Sequence, residues 1–236
     1  MANMIGILLG GAAGWAMRRG LRPATEGWLK IVLFMLTVYF GLRLTWRHLD
    51  GSILAILGQL LLVMMALALG RLTGRWLHLQ RGSNALGRYA RAKMEAASGR
   101  AGAHWTEGFV VCTALYCAAP LAILGPVAEV LGRDPSPLFL KAVIDGLATM
   151  GFVKIWGVGV MLSAVAVLAF QGTLTLVLWW MEPWLESGNA SAAVCATSGL
   201  LVFSVALLIL EVRRIEVASY LPSLLWAGLL AFVFGW

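Results

Sequence analysis

Six stretches of this chain, Met1–Met17, Gly51–Gly70, Gly108–Ala128, Ile155–Met181, Ser187–Leu210 and Val217–Trp236, contain no Asp, Glu, Lys or Arg, and each is 17 residues or longer. About 20 apolar residues at 1.5 Å per residue cross the roughly 30 Å hydrocarbon core of a bilayer. Six transmembrane helices are therefore expected before any other feature is weighed. The composition agrees, since 61% of the 236 residues are hydrophobic and 12% charged, against about half and about a quarter in a soluble domain. Disorder, collagen-like repeats and a disulfide scaffold are excluded on the same grounds.

Two further segments carry charge inside an apolar run. Gly27–Trp46 holds Lys30 and Arg43 toward its ends, where long basic stems reach the headgroups, and Pro137–Val153 holds Lys141 and Asp145 within it. The expectation is an all-α polytopic transmembrane bundle, with eight spans if both segments cross and seven if one is re-entrant. Met1–Met17 has the length of a secretory signal. A signal carries bases before its apolar core, however, and here Arg18 and Arg19 follow it, so the segment reads as a retained helix.

Basic loops set the orientation. Arg18, Arg19 and Arg22 follow the first span, and Arg71, Arg75, Arg81, Arg88, Arg91, Lys93 and Arg100 crowd the connection up to Glu107, so both loops are expected in the cytoplasm. Glu182 and Glu186 mark an outer loop, and Arg213 and Arg214 an inner one. Arg43 and Arg47 fit worst, because this scheme puts them outside. The net charge of +7 needs no nucleic acid, as a basic face against anionic lipid headgroups accounts for it. The basic stretch also has few of the interleaved aromatics that single-strand binding uses. Within it, Asn84–Gly87 and Tyr89–Met94 fit a short amphipathic surface helix, and Ser98–Gly102 a flexible return.

No catalytic signature is present: no Ser-His-Asp order, no HExxH and no P-loop. Cys112 and Cys117 are five apart, a spacing used by neither a zinc knuckle nor a redox CxxC, and with Cys195 they read as small packing residues. His48, His78 and His104 stand alone near span boundaries. Asn189-Ala190-Ser191 matches a glycosylation acceptor only formally. No metal and no cofactor is expected.

Attention falls on polar groups within the membrane, which cost several kcal/mol unless paired or hydrated. Lys141 and Asp145 are four apart, on one helix face, and can neutralise each other. They are either a packing pair or the charged lining of a solute or proton path. Gln171, followed by Gly172, and Gln59, preceded by Gly58, are further candidates for the path or for helix–helix bonding. Leu29-Lys30 recurs as Leu140-Lys141, and Gln59 falls opposite Gln171 at a similar offset. This suggests two three-helix units, about 1–72 and 107–181, separated by a cytoplasmic linker of about 73–106 and followed by C-terminal helices of about 187–236. Three spans per unit would invert one relative to the other, the build of secondary transporters. Gly10, Gly11 and Gly14 suit close helix packing, while Gly157 and Gly159 suit either packing or a broken helix lining a cavity.

The run Glu107-Gly108-Phe109-Val110, then Ala114-Leu115-Tyr116-Cys117, Ala122-Ile123-Leu124-Gly125, Gly132-Arg133-Asp134, Lys141, Asp145-Gly146, Gly157-Val158-Gly159-Val160, Ser163-Ala164, Gln171-Gly172 and Leu221-Pro222 resembles the bacterial membrane family catalogued as domain of unknown function 554. The resemblance implies a multi-pass protein of the bacterial inner membrane and brings no substrate with it. From the residues, a transporter of a small charged solute or ion, with a site between the two units, explains most of the pattern. An ion channel is the alternative, although nothing repeats like a selectivity filter. A non-transporting scaffold, binding partners through the loop Arg71–Arg100, is another, and self-association stays open. An enzyme is not expected, because only Glu107, at a membrane boundary, offers a base.

Overall fold

A computed structural model describes residues 1–17, 21–98, 105–186, 190–210 and 215–234. Arg18, Arg19, Arg100, His104, Asn189, Arg213 and Arg214, the return beyond Ser98 and the side chain of Glu186 lie outside the described residues. Among those described, all regular structure is helical: α1 (Ala2–Ala16), α2 (Pro23–Trp46), α3 (Ile53–Trp76), α4 (Leu79–Ser98), α5 (Trp105–Ala118), α6 (Leu121–Val130), α7 (Ser136–Trp156), a 3-10 turn (Val158–Leu162), α8 (Ser163–Glu186), α9 (Ala190–Ile209), α10 (Val217–Tyr220) and α11 (Ser223–Phe234). The protein is an all-α membrane bundle.

Every apolar segment of the sequence is helical, but the segments are not equal. Among the described residues, five helical stretches are long and apolar enough to cross a membrane, and six if α5 and α6 count as one bent span. By length and apolarity alone five or six helices pass, against the seven or eight crossings expected, although α7 runs from one end of the bundle to the other. The shortfall has two causes. α1 has 15 residues, about 22 Å of helix at 1.5 Å per residue, and α7 carries Lys141, Asp145 and Lys154 along its length. Gly108–Ala128, read as one span, is broken into α5 and α6 with a 51° bend. Pro120 sits at the break and has no N–H to return to the carbonyl of Tyr116, four residues back. α4 is the amphipathic surface helix the sequence suggests: Ala90 and Ala97 are buried while Arg81, Arg88 and Arg91 are exposed.

Small residues fix the packing, as expected where lipid removes the hydrophobic drive between helices. Gly6, Gly10 and Gly14 of α1 press on the backbones of Ala142, Gly146 and Met150 of α7. The numbers rise together, so α1 and α7 run parallel. Gly41 of α2 meets Gly199 and Phe203 of α9, and the hydroxyl of Thr45 donates to the carbonyls of Gly41 and Ala196, both at 3.1 Å. Gly70 and Gly74 of α3 lie on Ser223 and Ser219. In these two pairs the numbers run oppositely, so the helices are antiparallel. Among the described residues, α1, α2 and α3 make their main contacts with α7, α9 and α11, not with one another.

Gly125 of α6 rests on Leu138 and Gly108 of α5 on Trp156, so the broken span runs against α7. Arg133, just before α7, pairs with Glu182 near the end of α8 at 2.5 Å, which makes α8 antiparallel to α7 as well. One end of the bundle therefore gathers Arg43, Arg47, Arg133, Asp134 and Glu182. The other carries the α7–α8 junction and the basic helix α4, tied to α5 by Lys93 and Glu107 at 2.8 Å.

Candidate functional site

The polar centre is built on α7, where four-residue spacing puts Lys141 and Asp145 on one face and Thr149 one turn further on. Lys141 is 1% and Asp145 4% exposed. The ammonium of Lys141 donates to Asp145 Oδ2 at 2.5 Å. Two charges this deep are tolerated because each removes the other's field and further hydrogen bonds complete the set. Asn3 of α1 supplies one such bond: its Nδ2 donates to Asp145 Oδ2 at 3.0 Å and to Gln171 Oε1 of α8 at 3.1 Å. Thr149 donates to the Asp145 carbonyl at 2.6 Å, and its Oγ1 lies 2.7 Å from the hydroxyl of Tyr116. Three helices and the end of a fourth thus converge on one neutral network.

Tyr116 belongs to the last turn of α5, immediately before the break. The Lys141 ammonium stands 5.8 Å from its ring centre, within the range of a cation–π contact. A helix end leaves carbonyls without internal partners and carries partial negative charge, and Pro120 withholds the donor that Tyr116 would otherwise meet. The cation of the centre therefore lies against a side chain of the last turn of that half-helix.

A lateral groove of about 1100 Å³ runs between α1, α7 and α8. Its walls are apolar, with Leu9, Phe139, Val143 and Leu176 among them, and Asn3 and Gln171 are the amides in its lining. Both are nearly sealed, at 2% and 8% exposed. Asn3 Oδ1 and Gln171 Nε2 nonetheless find no hydrogen-bond partner in the protein. The amides join the groove to the ion pair behind them.

Of the residues singled out in the sequence, Lys141, Asp145 and Gln171 come together. Gln59 does not: it lies in the second turn of α3 and its Oε1 accepts from the backbone N–H of Asp50 at 3.1 Å. Lys30, aligned with Lys141 by the recurring Leu-Lys, is exposed where Lys141 is buried. Gly157 and Gly159 are at the far end of α7, about 18 Å beyond Asp145 along the axis. Gly157 ends the helix at φ 79°, and Gly159 is pressed on Trp105, so they form a packed junction. Glu107 is bound by Lys93. Asn3, Thr149 and Pro120 escaped the sequence reading, and Tyr116 entered it without a site role. An amide opening a glycine-spaced helix and a proline inside an uncharged run were the available signals. Among the described residues, no three His, Cys, Asp or Glu side chains form a metal set.

At the opposite end from α4, Asp134 is buried and accepts from the Ser136 N–H at 3.0 Å, which starts α7. Arg47 lies 3.7 Å and Arg43 4.0 Å from its Oδ2. Burial pushes the Asp134 carboxyl up, but the Ser136 bonds and the two guanidiniums outweigh it and hold the group below its ordinary value. The two arginines that fitted the charge pattern worst thus have a counter-charge.

No solved structure matches the chain. The uncharacterized membrane protein YdfK of Bacillus subtilis (strain 168) is 25% identical over 232 residues, 98% of this chain and 94% of its own length. The uncharacterized protein YqgA of Escherichia coli (strain K12) is 27% identical over 234 residues, 95% of this chain and 92% of its own. The profile described as "Protein of unknown function (DUF554)" matches residues 1–232, and the chain belongs to that family.

Proposed function

We propose that the protein is a transporter that moves a small charged solute or ion across the bacterial inner membrane, with its site at the Lys141–Asp145 centre. The observation that carries this reading is a buried ion pair beside a broken helix, linked by Asn3 and Gln171 to an open groove. Intramembrane charges that face a bundle interior mark ion and proton paths, and half-helix ends at depth are a recurring way to hold a charged cargo. Asn3 comes from the first unit read in the sequence and Lys141, Asp145 and Gln171 from the second, which suits a site between two inverted units.

In this mechanism the resting pair is neutral. An anionic group reaching Lys141, or a proton reaching Asp145, separates the two charges, and the amides bond the solute as they part. The basic face of α4 rests on anionic headgroups at the cytoplasmic surface. Proteoliposomes containing the full chain, loaded with labelled anions and cations with and without a pH gradient, test the proposal. Flux that collapses in Lys141→Ala and Asp145→Asn is the expected result. Unchanged flux in both variants rules out the site, and flux of nothing offered favours a scaffold acting through α4.

A further inference from the structure

The groove between α1, α7 and α8 has a feature its volume does not explain. Asn3 Nδ2 is committed to Asp145 and Gln171, so Asn3 must turn its oxygen the other way. Gln171 Oε1 is committed to Asn3, so its NH₂ is left over. Two buried amides thus offer one acceptor and one donor, both without a protein partner, in a mostly apolar wall whose other polar side chains are Glu129 and Thr175. A buried polar group left unbonded destabilises the fold. Both residues line the groove, so a ligand that reaches the two sealed atoms when the amides turn outward should bring one donor and one acceptor on an apolar body.

We propose that the groove binds a single-chain carboxylic acid in its neutral form, with the acid O–H donating to Asn3 Oδ1, its carbonyl accepting from Gln171 Nε2, and its chain lying along α1 and α7. The chemistry excludes close relatives. A carboxylate would set an acceptor against Asn3 Oδ1 and add to the Glu129 carboxylate, with the terminal amine of Met1 as the one cationic group in the lining. An ester has no donor for Asn3. A phosphate headgroup is an anion facing the same lining. The lateral opening between Ile5, Leu9, Phe139 and Val143, all exposed apolar residues, gives entry from the bilayer, where such acids dissolve. The neutral acid is not the charged cargo of the transport reading, so the proposal is a statement of binding and is tested separately.

The test uses the purified full chain in nanodiscs with tritiated palmitic acid. Saturable binding is expected, with competition by palmitic acid and by palmitamide, which keeps donor and acceptor, and none by methyl palmitate or hexadecyl sulfonate. Gln171→Leu should bind about tenfold more weakly, the loss that one hydrogen bond of 1.4 kcal/mol carries. Gly172→Phe should abolish binding, because a Cβ there meets nothing within 4 Å and the ring enters the groove without displacing a helix. Wild-type thermal stability certifies that each variant is folded. Undiminished binding in Gly172→Phe, equal competition by the sulfonate, or no saturable binding overturns the proposal. Palmitic acid held by the groove, with no flux of any labelled anion or cation in liposomes, would sink the transport reading alone. Flux of another solute that depends on Lys141, without palmitic acid binding, would sink this inference alone.

Discussion

Asn3, in the first turn of α1, donates to the Asp145 carboxylate of α7 at 3.0 Å across 142 residues of sequence. The bond shares its acceptor atom with Lys141, so the carboxylate is the hub and the other two are spokes. Removing Lys141 leaves charge unmatched in a dry place, whereas removing hub and counter-ion together leaves none.

The first prediction is a double-mutant cycle on that hub. Lys141→Met leaves a buried carboxylate with one neutral donor and should lower stability by about 3–5 kcal/mol. Lys141→Met with Asp145→Leu should recover most of that. Thermal unfolding in detergent reads both, and equal losses in the single and double variants would contradict the account.

The glycine contacts of α1 give the second. Gly10→Leu drives a side chain into the Gly146 carbonyl on α7 and should prevent the two helices from meeting, with loss of folded, monodisperse protein on size exclusion. Gly151→Ala, where a Cβ meets nothing within 4 Å, should be within about 0.5 kcal/mol of wild type.

The third concerns the break at Pro120. Pro120→Ala restores a donor toward the Tyr116 carbonyl and favours a continuous α5–α6 helix. Thermal stability should be unchanged or higher, while liposome flux falls at least about tenfold. A straightened helix that transports normally would remove the half-helix end from the mechanism.

Asp134 supplies a pH dependence whose sign is fixed. Its folded value lies below the ordinary 3.8, so its stabilisation is complete above that value and disappears as pH falls through the lowered folded one. The gap in melting temperature between wild type and Asp134→Asn should be constant from about pH 5 to 8 and close below about 3.8. It should be small, on the order of 1 kcal/mol or less, because Arg43 and Arg47 are 39% and 49% exposed.

Labelling tests the orientation. In a Cys117→Ala background, where the remaining Cys112 and Cys195 are buried, Asp50→Cys should react with an impermeant maleimide on intact cells. Arg81→Cys on α4 should react only after permeabilisation. The reverse pattern would invert the assignment made from the basic loops.

Charge-free runs are visible in a sequence because water and lipid sort residues by charge alone, which is why every apolar helix and the basic surface helix were legible. The ion pair was legible too, since four-residue spacing on one helix is a local fact. Partners across helices were not. Gln59 and Gln171 look alike in sequence, each beside a glycine, yet α1 packs over one and the Asp50 turn closes on the other. Lys30 and Lys141 share a leucine before them and differ only in what packs around them. Asn3 was overlooked because its role depends on the glycine stripe that seats α1 against α7. Pro120 was overlooked because counting charges ignores a residue whose effect is on the backbone.

The pairing of α1, α2 and α3 with α7, α9 and α11 has a consequence for biogenesis. During synthesis the opening helices enter the bilayer long before their mates exist, and α1 waits for more than 100 residues of chain. Their glycine faces and Asn3 must meanwhile be held against lipid or an insertion factor, since nearby helices offer them little. Contacts this distant in sequence close slowly, so the bundle forms from the C-terminal half outward. A chain halted before α7 has six helices but lacks the main partners of α1, α2 and α3, an obvious substrate for membrane quality control.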